Sequence, residues 1–367
     1  MKVTYSMFFA GKSPKLSDAE FYQEEMRLAE LVEPLGFDGI WCVEHHFDGE
    51  YSMCPDNFPV LSYLAAKTER ITLTTGGAIL PWNDPLRVAE KIVLLDHLSG
   101  GRAEFGVGRG LSKREYDTFG IPMDEARGRF DESLKMIMEA LETGTMEHQG
   151  EFYRQNAAPL RPAPLKSFKD RTVSIAMSTD SRAAAAAAGI GIASFAQFPI
   201  EQHAADFETY RKLYREHHGT EAPPVVMTDH VYCSEDPQEC RETSKQALAI
   251  HFGLTTAHYG LDRTGHFDNI SGYQSYAEMA NAMVSAGKEA AAEGYWAAQL
   301  VGTPEQIVER IKERVEVFGD YNQNCGFTYG RLDHGKAEAS MRLFAEKVLP
   351  ELRRLGITVG EPGTTNA

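Results

Sequence analysis

Cysteine is scarce in this chain. There are five among 367 residues: Cys42, Cys54, Cys233, Cys240 and Cys325. The number is odd and no two stand as CxxC, which excludes a regular disulfide frame and a cysteine-type zinc site. Reduced thiols and a cytoplasmic location are expected instead. Basic residues are outnumbered, 37 Lys and Arg against 53 Asp and Glu. The net charge of −16 argues against nucleic acid and against an anionic membrane surface, because both select clustered cations. No apolar run reaches the roughly 18 residues that span a bilayer. The opening "MKVTYSMFFAGKSPKL" reaches charge by Lys12 and has no apolar core followed by a cleavage site. HExxH is missing, and no GxGxxG follows the first apolar run, which lowers a Rossmann reading.

What is present is an alternation. Short β-type runs at residues 2–9, 39–45, 71–80, 103–110, 172–178, 191–197, 224–233 and 324–330 are separated by longer amphipathic stretches. Helices are expected at 87–98, 125–141, 201–214, 237–250, 304–317 and 337–352. Ser17 with Glu20 three residues on reads as a capping box, and Gly36 as a stop. Thr303 caps a helix with Pro304 at its first position. Eight strand–helix units point to a (β/α)8 barrel, the TIM-barrel class, rather than an open sheet. It forms one domain over residues 1–355, with a disordered tail at 356–367. Two stretches break the rhythm. Residues 149–170 are Pro-rich and irregular. Residues 252–300 form a long insertion before the last unit, either a functional lid or a plain packed helix pair.

Barrel active sites lie at the carboxyl ends of the strands. Reading those ends gives Glu44, His45 and His46; Gly76 and Gly77; Arg109 between Gly108 and Gly110; Ser178 to Ser181; Thr228 to His230; and Thr328 with Tyr329. Arg109 flanked by glycines suits an anion, since a guanidinium grips phosphate with two donors. Ser178 and Ser181 open an alanine-rich helix, whose first N–H groups attract phosphate. The plain readings are a surface ion pair for Arg109 and a simple cap for the serines. Together at one barrel end they favour a phosphorylated ligand. Adjacent strand residues point to opposite faces, so His45 and His46 cannot easily share one ion, and no metal site is expected.

The segments "GFDGIWCVEHHF", "GGAILP", "VAEKIVLLDHLSGGRAEFGVGRG", "VGTPEQ" and "CGFTYG" together resemble the bacterial luciferase-like flavin-dependent monooxygenases, most of all their catalytic alpha chains. The similarity runs in order over residues 1–352. It implies reduced FMN (FMNH2) delivered by a separate flavin reductase, O2 as co-substrate, and a homodimer through helices near 57–66 and 87–98. It implies addition of O2 at the flavin C4a carbon, then oxygenation of a small apolar or aromatic molecule by hydroxylation or Baeyer–Villiger insertion. His45 matches the catalytic histidine. Arg109, Arg127, Ser178 and Ser181 match the phosphate contacts, with Met177 adding backbone contacts. Gly76–Gly77 matches a non-prolyl cis peptide. Glu44 either biases the His45 charge or serves a strand-end ion pair. The chain departs from the family at Gly108, where a reactive cysteine is usual, and at 194–197, where aromatics are usual; light emission is not expected. Two other readings remain: a deazaflavin (F420)-dependent oxidoreductase on the same barrel, and a non-catalytic flavin-binding subunit.

Overall fold

The computed structural model describes residues 1–268, 270 and 272–357. Most of the expected tail lies outside these residues. Parallel strands close on themselves as a barrel: β1 (Val3–Met7), β2 (Gly39–Cys42), β3 (Thr72–Thr75), β4 (Ala103–Gly108), β5 (Thr172–Ile175), β6 (Gly191–Phe195), β7 (Val225–Cys233) and β8 (Tyr321–Gly326). β8 returns to β1 with Thr4 opposite Asn324, and β6 pairs with β7, which closes the barrel.

Alternation along each strand sorts the side chains. Val3, Tyr5 and Met7 join the large apolar layer under the helices. Thr4 faces the bore, where Asn324 links it at 3.0 Å and reaches Thr228 at 3.2 Å. Trp41, Ala193 and Val226 fill the bore beside this polar chain. The bore is therefore packed core, and only its upper rim is available for chemistry.

The outer helices are α1 (Asp18–Glu30), α2 (Asn57–Ala65), α3 (Pro85–Leu98), α4 (Lys113–Phe119), α5 (Ala126–Thr143), α6 (Thr179–Ala188), α7 (Ile200–His218) and α8 (Pro237–Tyr259). After them come α9 (Gln274–Ala286), α10 (Lys288–Ala298), α11 (Pro304–Phe318) and α12 (His334–Leu343). Ser17 and Thr303 both form complete capping boxes, each worth about 1 kcal/mol of helix stability. Arg314 of α11 reaches through to Asp229 of β7 with two bonds of 2.7 and 2.9 Å. Asp229 thus faces the helix layer, while its neighbours Thr228 and His230 face inward.

The elements differ from the sequence reading in four places. The run 71–80 is broken at Gly76–Gly77, a cis peptide, with a two-residue strand at Ala78–Ile79 beyond it. The last strand begins at Tyr321, so Thr328 and Tyr329 lie past its end. The Pro-rich stretch holds a hairpin of Thr145–Gln149 with Arg154–Pro159. Residues 252–300 begin inside α8, which runs on to Tyr259, and carry α9 and α10 before a short strand at Leu300–Gly302. No described helix is long and apolar enough to cross a membrane.

Candidate active site

β2 ends at Cys42, and the chain then carries Glu44 and His45 onto the rim. The His45 N–H bonds the Cys54 carbonyl at 2.8 Å, which fixes the backbone. Its imidazole Nε2 stands 3.5 Å from the Tyr259 hydroxyl at the end of α8. Its Nδ1 lies 3.4 Å from Glu115 Oε1, near enough for charge attraction but not aligned as a hydrogen bond.

Glu115 belongs to α4 and is buried. It also faces His258 Nε2 at 3.6 Å, and His258 Nδ1 meets Asp48 at 3.1 Å. Carboxylates and imidazoles therefore alternate, Asp48–His258–Glu115, up to the His45 ring. Burial alone would raise the Glu115 carboxyl, but the neighbouring His258 and His45 imidazoles overcome it and hold it well below the usual range. The His258 bond holds Asp48 down to about 2. Burial opposes charge on His258, yet the two carboxylates win and raise it.

The side-chain ligand atoms of His45, Glu115 and His258 lie within 4.8 Å of one another, a set the sequence reading did not contain. The Glu115 oxygen nearest both rings already accepts the His46 backbone N–H at 2.8 Å, so it is better placed as a charge partner than as a metal ligand.

Glu44 does not touch His45. Its buried carboxylate accepts from Trp82 Nε1 at 2.8 Å, Asn83 at 2.9 Å and the Ile79 N–H at 3.1 Å. His46 Nε2 lies 3.2 Å away. It anchors the rim segment after β3 to the turn after β2. His46 packs among Phe47, Trp82 and Phe119, away from the pocket.

Across the mouth, Ser178 caps α6 by accepting the Ser181 N–H at 3.2 Å. The two hydroxyls join at 2.9 Å, and Arg127 donates to Ser181 at 3.0 Å. Arg109 is buried, stacks 4.0 Å from the Tyr273 ring and donates to the Gly272 carbonyl at 2.9 Å. Among the described residues no carboxylate pairs with it. Met177 gives its carbonyl to Arg182 at 3.0 Å, and its side chain lines the pocket. Gly77 passes so close to β4 that a Cβ there would sit 2.8 Å from the Val107 carbonyl carbon. At Gly108, a Cβ would meet Ile79 at 2.7 Å, so any side chain there displaces that residue.

These groups surround one pocket. Glu44, His45, Gly76, Gly77, Arg109 and Met177 line it, as does Ser181, while Ser178 and Arg127 stand behind through Ser181. The donor set fits a phosphate: two guanidinium groups, two hydroxyls and a helix N-terminus without an opposing carboxylate on Arg109. The open volume is about 160 Å3, because Tyr276 and Met279 of the excursion roof the space.

Fold and site define a (β/α)8 enzyme with its reaction pocket at the carboxyl ends of the strands. The chain belongs to the luciferase-like monooxygenase family, whose model matches residues 1–321. It is 27% identical over 348 residues to the alkanal monooxygenase alpha chain of Aliivibrio fischeri, covering 94% of this chain and 96% of the other. The monooxygenase RslO1 of Streptomyces bottropensis has a similar structure, with a TM-score of 0.78 and 28% identity over 96% of this chain and 99% of that one. The oxygenating constituent of 3,6-diketocamphane monooxygenase from Pseudomonas putida, solved with FMN, shares the fold at a TM-score of 0.74 and 17% identity, over 96% and 98%.

Proposed function

We propose that this chain is the oxygenating component of a two-component system. It takes reduced FMN from a separate reductase in the cytoplasm and uses O2 to oxygenate a small apolar or aromatic substrate. The observation that carries the reading is the meeting, in one pocket, of a phosphate-type cradle and an imidazole backed by a buried carboxylate. Arg109, Arg127, Ser178 and Ser181 would hold the FMN phosphate. Bound reduced FMN supplies the electrons that activate O2.

The protein's own residues do the rest. His45 holds or moves a proton at Nε2, with Tyr259 as its nearest hydroxyl partner. Glu115 on the Nδ1 side favours the tautomer and orientation that leave Nε2 toward the pocket. Tyr276, Met279 and Leu261 keep water from the reacting atoms. Five free, buried thiols suit a reducing compartment. Hydroxylation and Baeyer–Villiger insertion place the same demands on these residues.

The test is to mix the protein with photoreduced FMN under argon and then add O2. Return of oxidised-flavin absorbance is expected to lag behind O2 uptake, and H2O2 release to be delayed relative to free FMN. Reoxidation at the rate of free FMN would overturn the reading. Binding of reduced F420 without binding of FMN would put the deazaflavin reading in its place. His45→Ala is expected to keep FMN affinity but lower the yield of oxygenated product by about 100-fold.

A further inference from the structure

Two histidines in the pocket wall take no part in the scheme above. His230, on β7, and His251, on α8, are 4% and 5% exposed, and their rings stand 4.2 Å apart. Each has one ring nitrogen in use. His230 Nδ1 meets the Tyr295 hydroxyl at 3.2 Å, and His251 Nε2 meets Thr255 Oγ1 at 3.2 Å. The other two nitrogens, His230 Nε2 and His251 Nδ1, are buried without a partner among the described residues. Buried polar atoms are normally satisfied, so a pair of idle nitrogens in a pocket wall points to a ligand.

Their position gives the second observation. Behind the pocket lies another cavity of about 560 Å3, between the excursion and the barrel helices. Phe198, Met227, Phe252, Met283 and Phe318 wall it. Gln197, Thr255, Leu261 and Tyr295 line both spaces. Thr255 and Tyr295 are the hydrogen-bond partners of the two histidines. The pair therefore stands at the neck between the rim pocket and a larger cavity, whose wall is mostly apolar but includes Arg310, Glu313 and Arg314.

The chemistry narrows the occupant. Burial drives both imidazoles toward the neutral form, His230 to about 3, with His230 also acting on His251. Neutral rings offer no ion pair to a carboxylate. Each free nitrogen is a donor or an acceptor depending on its tautomer. A hydroxyl donates once and accepts twice, so it serves a donor–acceptor pair or two donors; a carbonyl serves only two donors. The neighbouring surface is aromatic, with Phe8 stacked 4.9 Å from His230.

We propose that the organic substrate is a neutral phenol-type molecule, whose hydroxyl bonds His230 and His251 at the neck and whose apolar body extends into the second cavity. This deepens the proposed function by naming its substrate class, but its test needs no turnover.

The full chain is titrated with 2-naphthol and with naphthalene, with and without oxidised FMN. 2-Naphthol is expected to bind at least about tenfold more tightly, because an analogue without the hydroxyl leaves the buried nitrogens unpaired. His230→Phe and His251→Phe each should remove most of that preference. Ala291→Phe, which narrows the second cavity, should weaken both probes alike. Equal affinity of the wild-type chain for the two probes overturns the proposal, even if a variant fails to fold. So does a preference that survives both histidine substitutions, or no effect of Ala291→Phe. Failure to bind FMN with the naphthol preference intact counts against the flavin reading alone.

Discussion

Glu44 and Glu115 are both buried beside the adjacent histidines, and the turn after β2 decides which serves which. Glu44 and His46 stand two apart and meet. His45 points the other way and finds Glu115 on α4. Glu115, His258 and Asp48 were not legible, because their partnership depends on where α4 and the end of α8 lie in space. Glu115 follows Ser112 by three residues, a spacing that reads as an ordinary helix start.

The Asp48–His258–Glu115 chain makes stability depend on pH. The carboxylate values are depressed in the fold, so their contribution is present above the unfolded value near 4 and is lost as pH falls through the folded values. The His258 value is raised, so its contribution is full below about 6.5 and is lost as pH rises through the folded value. The network therefore stabilises most between about pH 4 and 6.5. Urea midpoints measured across pH should be highest there. His258→Gln is expected to lower the midpoints and to flatten both limbs of the profile, since the raised imidazole is gone and the folded carboxylate values move back toward their unfolded ones. A profile identical to wild type would remove His258 from the network.

At the scale of elements, the barrel strands were the easiest feature to read and the excursion the hardest. β-type runs bounded by glycine locate strands within a few residues because burial on both faces leaves few polar positions. The cis peptide at Gly76–Gly77 was implied by the family resemblance, whereas the run 71–80 read as one unbroken strand. The extent of α8 was not, since "HFGLTTAHYG" mixes glycine, threonine and histidine in a segment that helix packing overrides. The excursion also reaches the site in a way composition does not show: the Gly272 carbonyl and the Tyr273 ring occupy the Arg109 guanidinium.

An anion that takes Arg109 must compete with that carbonyl. We therefore expect FMN to lift the segment around Gly272 from the rim, whereas riboflavin, with no phosphate, leaves it in place. Trypsin cleavage at the exposed Arg263 should accelerate with FMN and not with riboflavin. Arg109→Met should be cleaved rapidly without any ligand and should bind FMN about ten- to a hundredfold more weakly. Equal cleavage with FMN and riboflavin would show that the roof does not answer to the phosphate.

For the whole molecule, three of the exposed apolar side chains lie on the neighbouring helices α2 and α3. Tyr63 of α2 and Leu94 and Leu98 of α3 are 45%, 49% and 54% exposed. The two helices pack side by side. Scattered exposed leucines need no explanation, but three on adjacent helices suit an isologous contact with a second copy. The rest of the surface opposes association. At a net charge of −16, two copies repel over the roughly 8–10 Å that salt leaves unscreened, so an apolar patch must supply the attraction. The expected homodimer through α2 and α3 thus has a direct test. By light scattering the wild-type chain should show twice the monomer mass, and more firmly as salt is raised. Leu94→Glu with Leu98→Glu adds like charge to the contact on both copies and should yield monomers that still bind FMN, because neither residue touches the pocket. A double variant that remains dimeric would move the interface to another face.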